Sequence, residues 1–100
     1  MKNISKKIER LQEAAKAGDQ DAQYELGLCY YFGKHGLEED KSLGIAWLKE
    51  AGKAGYKKAQ KKLIEILPDN YFNDSDLIDW LYKYDSSRYD RLCAIHQMMM

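Results

Sequence analysis

The sequence predicts an all-α chain assembled from helix pairs, and three observations carry that expectation. A block of residues recurs at a fixed spacing, apolar residues fall at helical intervals, and Gly, Pro or Asx/Ser clusters stand where helices should stop and start. The recurrence is the most informative. Ala14, Lys16, Ala17, Gly18, Ala22, Gln23 and Leu26 return as Ala51, Lys53, Ala54, Gly55, Ala59, Gln60 and Leu63, each 37 residues later. A period of that length belongs to helix-pair solenoids, in which each unit buries its apolar face against its neighbours.

The elements follow in chain order. Ile4, Ile8, Leu11 and Ala15 form a 3.6-period stripe, so residues 3–17 should be helical, with Gly18 supplying a left-handed stop. Ala22, Leu26, Cys29, Tyr30 and Gly33 share one face of a second helix, about 20–33, before a loop from Gly33 to Glu39. Asp40 or a neighbour should cap a third helix whose inward stripe is Leu43, Trp47, Leu48 and Ala51, and Gly55 ends it. Ala59, Leu63, Ile66 and Leu67 define a fourth, stopped by Pro68, Asp69 and Asn70. Beyond that break the 37-residue pattern is lost. Asn73, Asp74 and Ser75 offer caps for a fifth helix with Leu77, Ile78, Trp80, Leu81 and Tyr84 inward. Asp85, Ser86 and Ser87 then read as a short turn, and a last helix with Tyr89, Leu92, Cys93 and His96 on one side should reach about Met98. Met99 and Met100 are expected to fray.

One hundred residues suffice for a single domain, 1–100, with 3–67 as repeat region and 68–100 as C-terminal capping helices. Charged residues are 32% of the chain with 16 of each sign, which excludes a charge-driven disordered tail. Met1 to Arg10 has no continuous apolar stretch of the secretory type, and no run approaches membrane-spanning length, so the expected location is the cytoplasm. Cys29 and Cys93 fit neither a disulfide framework nor a metal spacing and are read as buried small apolar residues. The net charge of zero hides an asymmetry. Lys41 to Lys62 carries seven Lys against Glu50, and Asp69 to Asp90 carries six Asp against Lys83 and Arg88. These segments could neutralise each other in the fold or serve as binding surfaces.

Residues 15–59 resemble a Sel-one-like repeat (SLR), a branch of the tetratricopeptide-like solenoids. The pattern is Ala22-x-x-x-Leu26-Gly27-x-x-Tyr30-x-x-Gly33, then Gly36-Leu37-x-x-Asp40, Trp47-x-x-x-Ala51 and Gly55-x-x-x-Ala59. The loop between Gly33 and Gly36 is one residue longer than the family's usual form, and Gly44 stands where the family normally has Ala. The resemblance implies a short α-α superhelix of about six helices, one full repeat with half-repeats at 3–17 and 57–67, sealed by a non-repeat cap. It also implies a protein-binding role as an adaptor or scaffold, with no activity of its own. About three repeats are usually needed for stability, so Trp80, Leu81, Tyr84 and Leu92 of the cap should supply the missing apolar surface, or a second chain should.

Two faces are candidate partner-binding sites. Tyr24, Leu28 and Tyr31 stand i, i+4, i+7 beside the packing stripe of the second helix, where they would serve as anchors unless the N-terminal helix or the C-terminal cap covers them. Lys57, Lys58, Lys61 and Lys62 share a face of the fourth helix, with Lys53 in the preceding turn. That face is either simply solvated or meets an acidic protein. Nucleic acid is the weaker alternative, since the patch has no Arg and no interleaved aromatic residue. The Asp-rich segment with Tyr71, Phe72, Trp80, Tyr82 and Tyr84 suits docking on a basic protein or mimicry of a phosphate-rich ligand. Equally, its carboxylates could answer helix dipoles. Asp74-x-Asp76 lacks the Gly and terminal Glu of a calcium loop. His35 and His96 have no second ligand nearby, there is no phosphate loop, and no enzyme activity, cofactor or metal is expected. The reading is a cytoplasmic binding module, monomer or homodimer. It would engage one protein, with a bacterial or phage inhibitor of the immunity-protein type as the sharper form and a self-associating structural protein as a further alternative.

Overall fold

The computed structural model describes residues 5–68, 71, 72 and 74–98, with 95–98 described by their backbone. Among these residues every regular element is a helix: α1 (Lys6–Lys16), α2 (Gln20–Phe32), α3 (Lys41–Lys53), α4 (Lys57–Ile66), α5 (Ser75–Tyr84) and α6 (Ser86–Met98). Each helix packs chiefly on the next in sequence. The result is an elongated stack of 50 × 26 × 17 Å with a radius of gyration of 15.2 Å, against about 13 Å for a compact chain of this length. The superhelical expectation holds.

Local chemistry sets the helix ends. Ser5, Asp19 and Asp40 cap α1, α2 and α3 by accepting from the amides of Ile8, Ala22 and Leu43. Gly18 and Gly55 take φ of 97° and 99° just after α1 and α3, as their recurrence predicts. The longer loop is accommodated by left-handed residues, Gly33, Gly36 and the non-glycine His35 at φ 56°. Asp74 is the cap chosen from the three candidates before α5. Asn73, Asp69 and Asn70 lie outside the described residues, as do Ile4, Met99 and Met100. The expected turn at Asp85 to Ser87 shrinks to Asp85 alone. Its carboxylate accepts from the Arg88 amide, so α6 starts directly at Ser86.

Two apolar clusters run along the stack. Ile8, Ala15, Ala22, Leu26 and Cys29 form the first, with Trp47 of α3 laid against it. Leu48, Ala51, Ala59, Leu63, Ile64, Leu67, Leu77, Trp80 and Leu81 form the second. Three inward assignments change. Leu43 is 38% exposed, because Gly44 takes the contact position on α3. Ile64 is buried in place of Ile66, which is half-buried beside it. Cys29 is buried as expected but Cys93 is exposed. Its helix packs chiefly on α5, with Arg88 also reaching the end of α4, and Cys93 stays in solvent.

The cap carries an echo of the repeat at a different spacing. Trp47-Leu48 and Ala51 correspond to Trp80-Leu81 and Tyr84, 33 residues on. Trp47 lies against the cluster containing Ala15, and Trp80 lies against Gly52, the residue 37 after Ala15. Leu48 and Leu81 are both fully buried. α5 therefore stands to α4 as α3 stands to α2.

Candidate protein-interaction surface

The anchors proposed on α2 meet the following helices. Tyr24 and Leu28 are half-buried and pack on the second cluster, and the Tyr24 ring lies 5.4 Å from that of Tyr56. Tyr56 in turn donates its hydroxyl to Asp21, and Gln20 donates to the Ala54 carbonyl (3.2 Å), so α2 and the α3–α4 turn are tied at that edge. The bond to Asp21 pushes the Tyr56 hydroxyl up to about 12. Tyr31 is half-buried against Gly44, edge-on to the exposed ring of Phe32, with Lys41 5.7 Å above it. The covering elements are α3 and α4, whereas the sequence offered the N-terminal helix or the cap. The reason is the close approach of Gly27 and Gly44, which brings α3 onto that flank of α2.

The lysines behave differently. Lys53, Lys57, Lys58 and Lys61 are all exposed and make no ion pair with a described residue, while Lys62 pairs with Glu65 at 3.5 Å. Lys57, Lys58 and Lys61 lie on α4 away from its buried stripe of Ala59, Gln60, Leu63 and Ile64, and Lys53 ends α3. Among the described residues one ion pair joins the basic and acidic segments: Lys49 Nζ reaches Asp74 Oδ2 at 2.6 Å. With the amide of Asp76 donating to the same carboxylate, it holds the Asp74 carboxyl below its usual range. The partial neutralisation leaves the α4 face in water.

Sequence reasoning missed Arg88. Its guanidinium donates to the carbonyls of Ile64 (2.7 Å) and Leu67 (2.6 Å), closing the C-terminal end of α4 that Pro68 terminates. It also stacks on Phe72 at 4.6 Å. No local signal pointed to it, since Arg88 stands 20 residues beyond Pro68 with α5 between. A groove of about 410 Å³ opens there, lined by Lys61, Ile64, Glu65, Tyr84, Asp85 and Arg88. Among the described residues no group of three His, Cys, Asp or Glu side chains is placed to hold a metal, and no helix is long and apolar enough to cross a membrane.

Residues 20–56 match the Sel1 repeat family. The chain is also similar to the ERAD-associated E3 ubiquitin-protein ligase component HRD3A of Arabidopsis thaliana, 36% identical over 56 residues, which are 56% of this chain and 8% of that protein. No solved structure matches. The α2–α3 pair, with its Gly-terminated helices, glycine crossing and Trp47 packed across the junction, is the part of the chain that matches the Sel1 repeat.

Proposed function

We propose that the chain binds one protein partner through the Lys53, Lys57, Lys58 and Lys61 face, and acts as an adaptor or an inhibitor of the immunity type in a bacterial cytoplasm. The observation that carries this reading is four exposed lysines without an ion pair on the described residues, Lys57, Lys58 and Lys61 on a helix whose other side is buried in the core and Lys53 at the end of the helix before it. An acidic protein surface complements such a face and gains from electrostatic steering. The tyrosine stripe is the secondary contact. Tyr24 and Leu28 are largely occupied by α3 and α4, so Tyr31, beside the exposed Phe32, is the part of it open to a partner. The similarity to a named ligase component supports a part that works by joining another protein.

The test is copurification from the native host with the wild-type chain and with Lys53→Glu/Lys57→Glu/Lys58→Glu. One stoichiometric partner captured by the first and lost by the second is the expected result. A partner retained by the variant moves the interface elsewhere, and a chain that always runs alone overturns the reading. A mobility shift of DNA or RNA at low salt, abolished by the same substitutions, would instead support the nucleic-acid alternative.

A further inference from the structure

We propose that the groove between α4 and the α5–α6 turn is a binding site for an acidic peptide segment. The inference rests on the reading of the chain as a protein-binding module and places a specific contact on it. Three features of the groove point to such an occupant.

The first is its size. About 410 Å³ falls within the range of ligand clefts, about 300–1,000 Å³, which suits a short run of chain rather than a single ion. The second is its rigidity. Tyr84 donates its hydroxyl to Gln60 Oε1 at 2.7 Å, and Gln60 is buried and donates to the Gly52 carbonyl at 2.8 Å, so the ring is held from within. Arg88 is fixed by its two carbonyl bonds. A site that needs no reordering loses less entropy on binding.

The third is charge. Lys61 and Lys83 place their ammonium groups 5.6 and 5.2 Å from the Tyr84 ring centroid and have no ion pair with a described residue. The carboxylates at the same rim are already engaged, Glu65 with Lys62 at 3.5 Å and Asp85 with the Arg88 amide at 3.2 Å. The lining itself is balanced, Lys61 and Arg88 against Glu65 and Asp85, and Lys62 on Glu65 together with Lys83 against the Tyr84 ring makes its surroundings positive. Two ammonium groups against one ring also compete with a base that would stack there, which favours carboxylates carried on a peptide over a nucleic acid. Ile64 and the Tyr84 ring are the apolar part of the lining, so alternating acidic and aliphatic side chains fit best.

An amide NMR titration with a decapeptide alternating Glu and Leu, and with its Gln and Leu counterpart, tests this. The Glu peptide should shift the amides of Ile64, Glu65, Tyr84, Asp85 and Arg88, and the Gln peptide should leave them in place. Lys61→Glu/Lys83→Glu, surface changes that leave the remaining spectrum unaltered, should weaken binding by about tenfold or more. Shifts centred on Lys57 and Lys58, equal shifts from both peptides, or no shifts at all overturn the proposal. If the groove fails in this way while a host partner is still captured and still lost with Lys53→Glu/Lys57→Glu/Lys58→Glu, the groove alone is wrong and the protein-binding reading stands.

Discussion

The two junctions of the stack, α2 on α3 and α4 on α5, solve the same packing problem with opposite materials. In the first, Gly27 and Gly44 let two backbones nearly touch: a methyl group on Gly44 would lie 2.6 Å from the Gly27 carbonyl oxygen and 2.8 Å from Tyr31. In the second, the residues 37 after Gly27 and 33 after Gly44 are Ile64 and Leu77, both buried. The glycine crossing is close, flanked by Leu48 and Tyr31, and Ala51, one turn on from Leu48, is fully buried. The aliphatic junction is filled by side chains, and Tyr84 occupies the place of Ala51 with its hydroxyl on Gln60. The space beside Tyr84 and Arg88 becomes the groove. A repeat can thus be propagated tightly between its own units and loosely onto its cap.

The largest effects come from exchanging those materials. Leu77→Ala leaves a cavity in the second cluster and should cost about 2–5 kcal/mol. Gly44→Ala adds only a methyl group, yet it meets backbone and should cost about 1–3 kcal/mol through overpacking. Chemical denaturation of both variants reads the two directions. A Gly44→Ala chain as stable as wild type would show that the first junction is not a close crossing, and the contrast would fall.

Much of the fold was legible because the repeat carries its own punctuation. Gly18, Gly55, Asp40 and the apolar stripes gave helix boundaries within a few residues. What escaped was whatever depends on helix separation. Gly44 reads as a departure from the family pattern, and only the crossing distance makes it the contact residue in place of Leu43. Trp80-Leu81 is recognisable as Trp47-Leu48 once both are seen against Ala15 and Gly52, because a spacing of 33 residues does not align with 37. For the candidate site the lysine face followed from helical periodicity alone, as surface positions do. The groove did not, since it joins Lys61 and Arg88 across a chain reversal that no local pattern encodes.

The paired glutamines sharpen the comparison at intermediate cost. Gln23 donates to the Ala15 carbonyl at 3.1 Å and Gln60 to that of Gly52 at 2.8 Å, the same bond one repeat apart. Gln60 also accepts from Tyr84, whereas Gln23 Oε1 is buried with no hydrogen-bond partner among the described residues. Gln60→Met removes two bonds and should cost about 1–3 kcal/mol, while Gln23→Met removes one bond together with an unmet acceptor and should cost less than about 1 kcal/mol. Equal losses on denaturation would mean that the tyrosine adds nothing to the second junction.

The smallest effect separates the caps of the two junctions' second helices. Asp40 accepts from the Leu43 amide at 3.0 Å, and Asp74 combines its cap bond to the Asp76 amide with the ion pair to Lys49. Because the Asp74 carboxyl is held below its usual range, chiefly by Lys49, its charged form is favoured in the folded chain. It therefore adds stability above the unfolded value of about 3.9, and that contribution is lost as pH falls through the lower, folded pKa. Asp74→Asn keeps a competent cap and removes only the charge, so it should cost about 0.5–1 kcal/mol at neutral pH, part-exposed pairs being weak. The gap between variant and wild type should close in acid. A difference that persists below the folded pKa would assign the effect to the cap bond rather than to Lys49, making the caps of α3 and α5 equivalent.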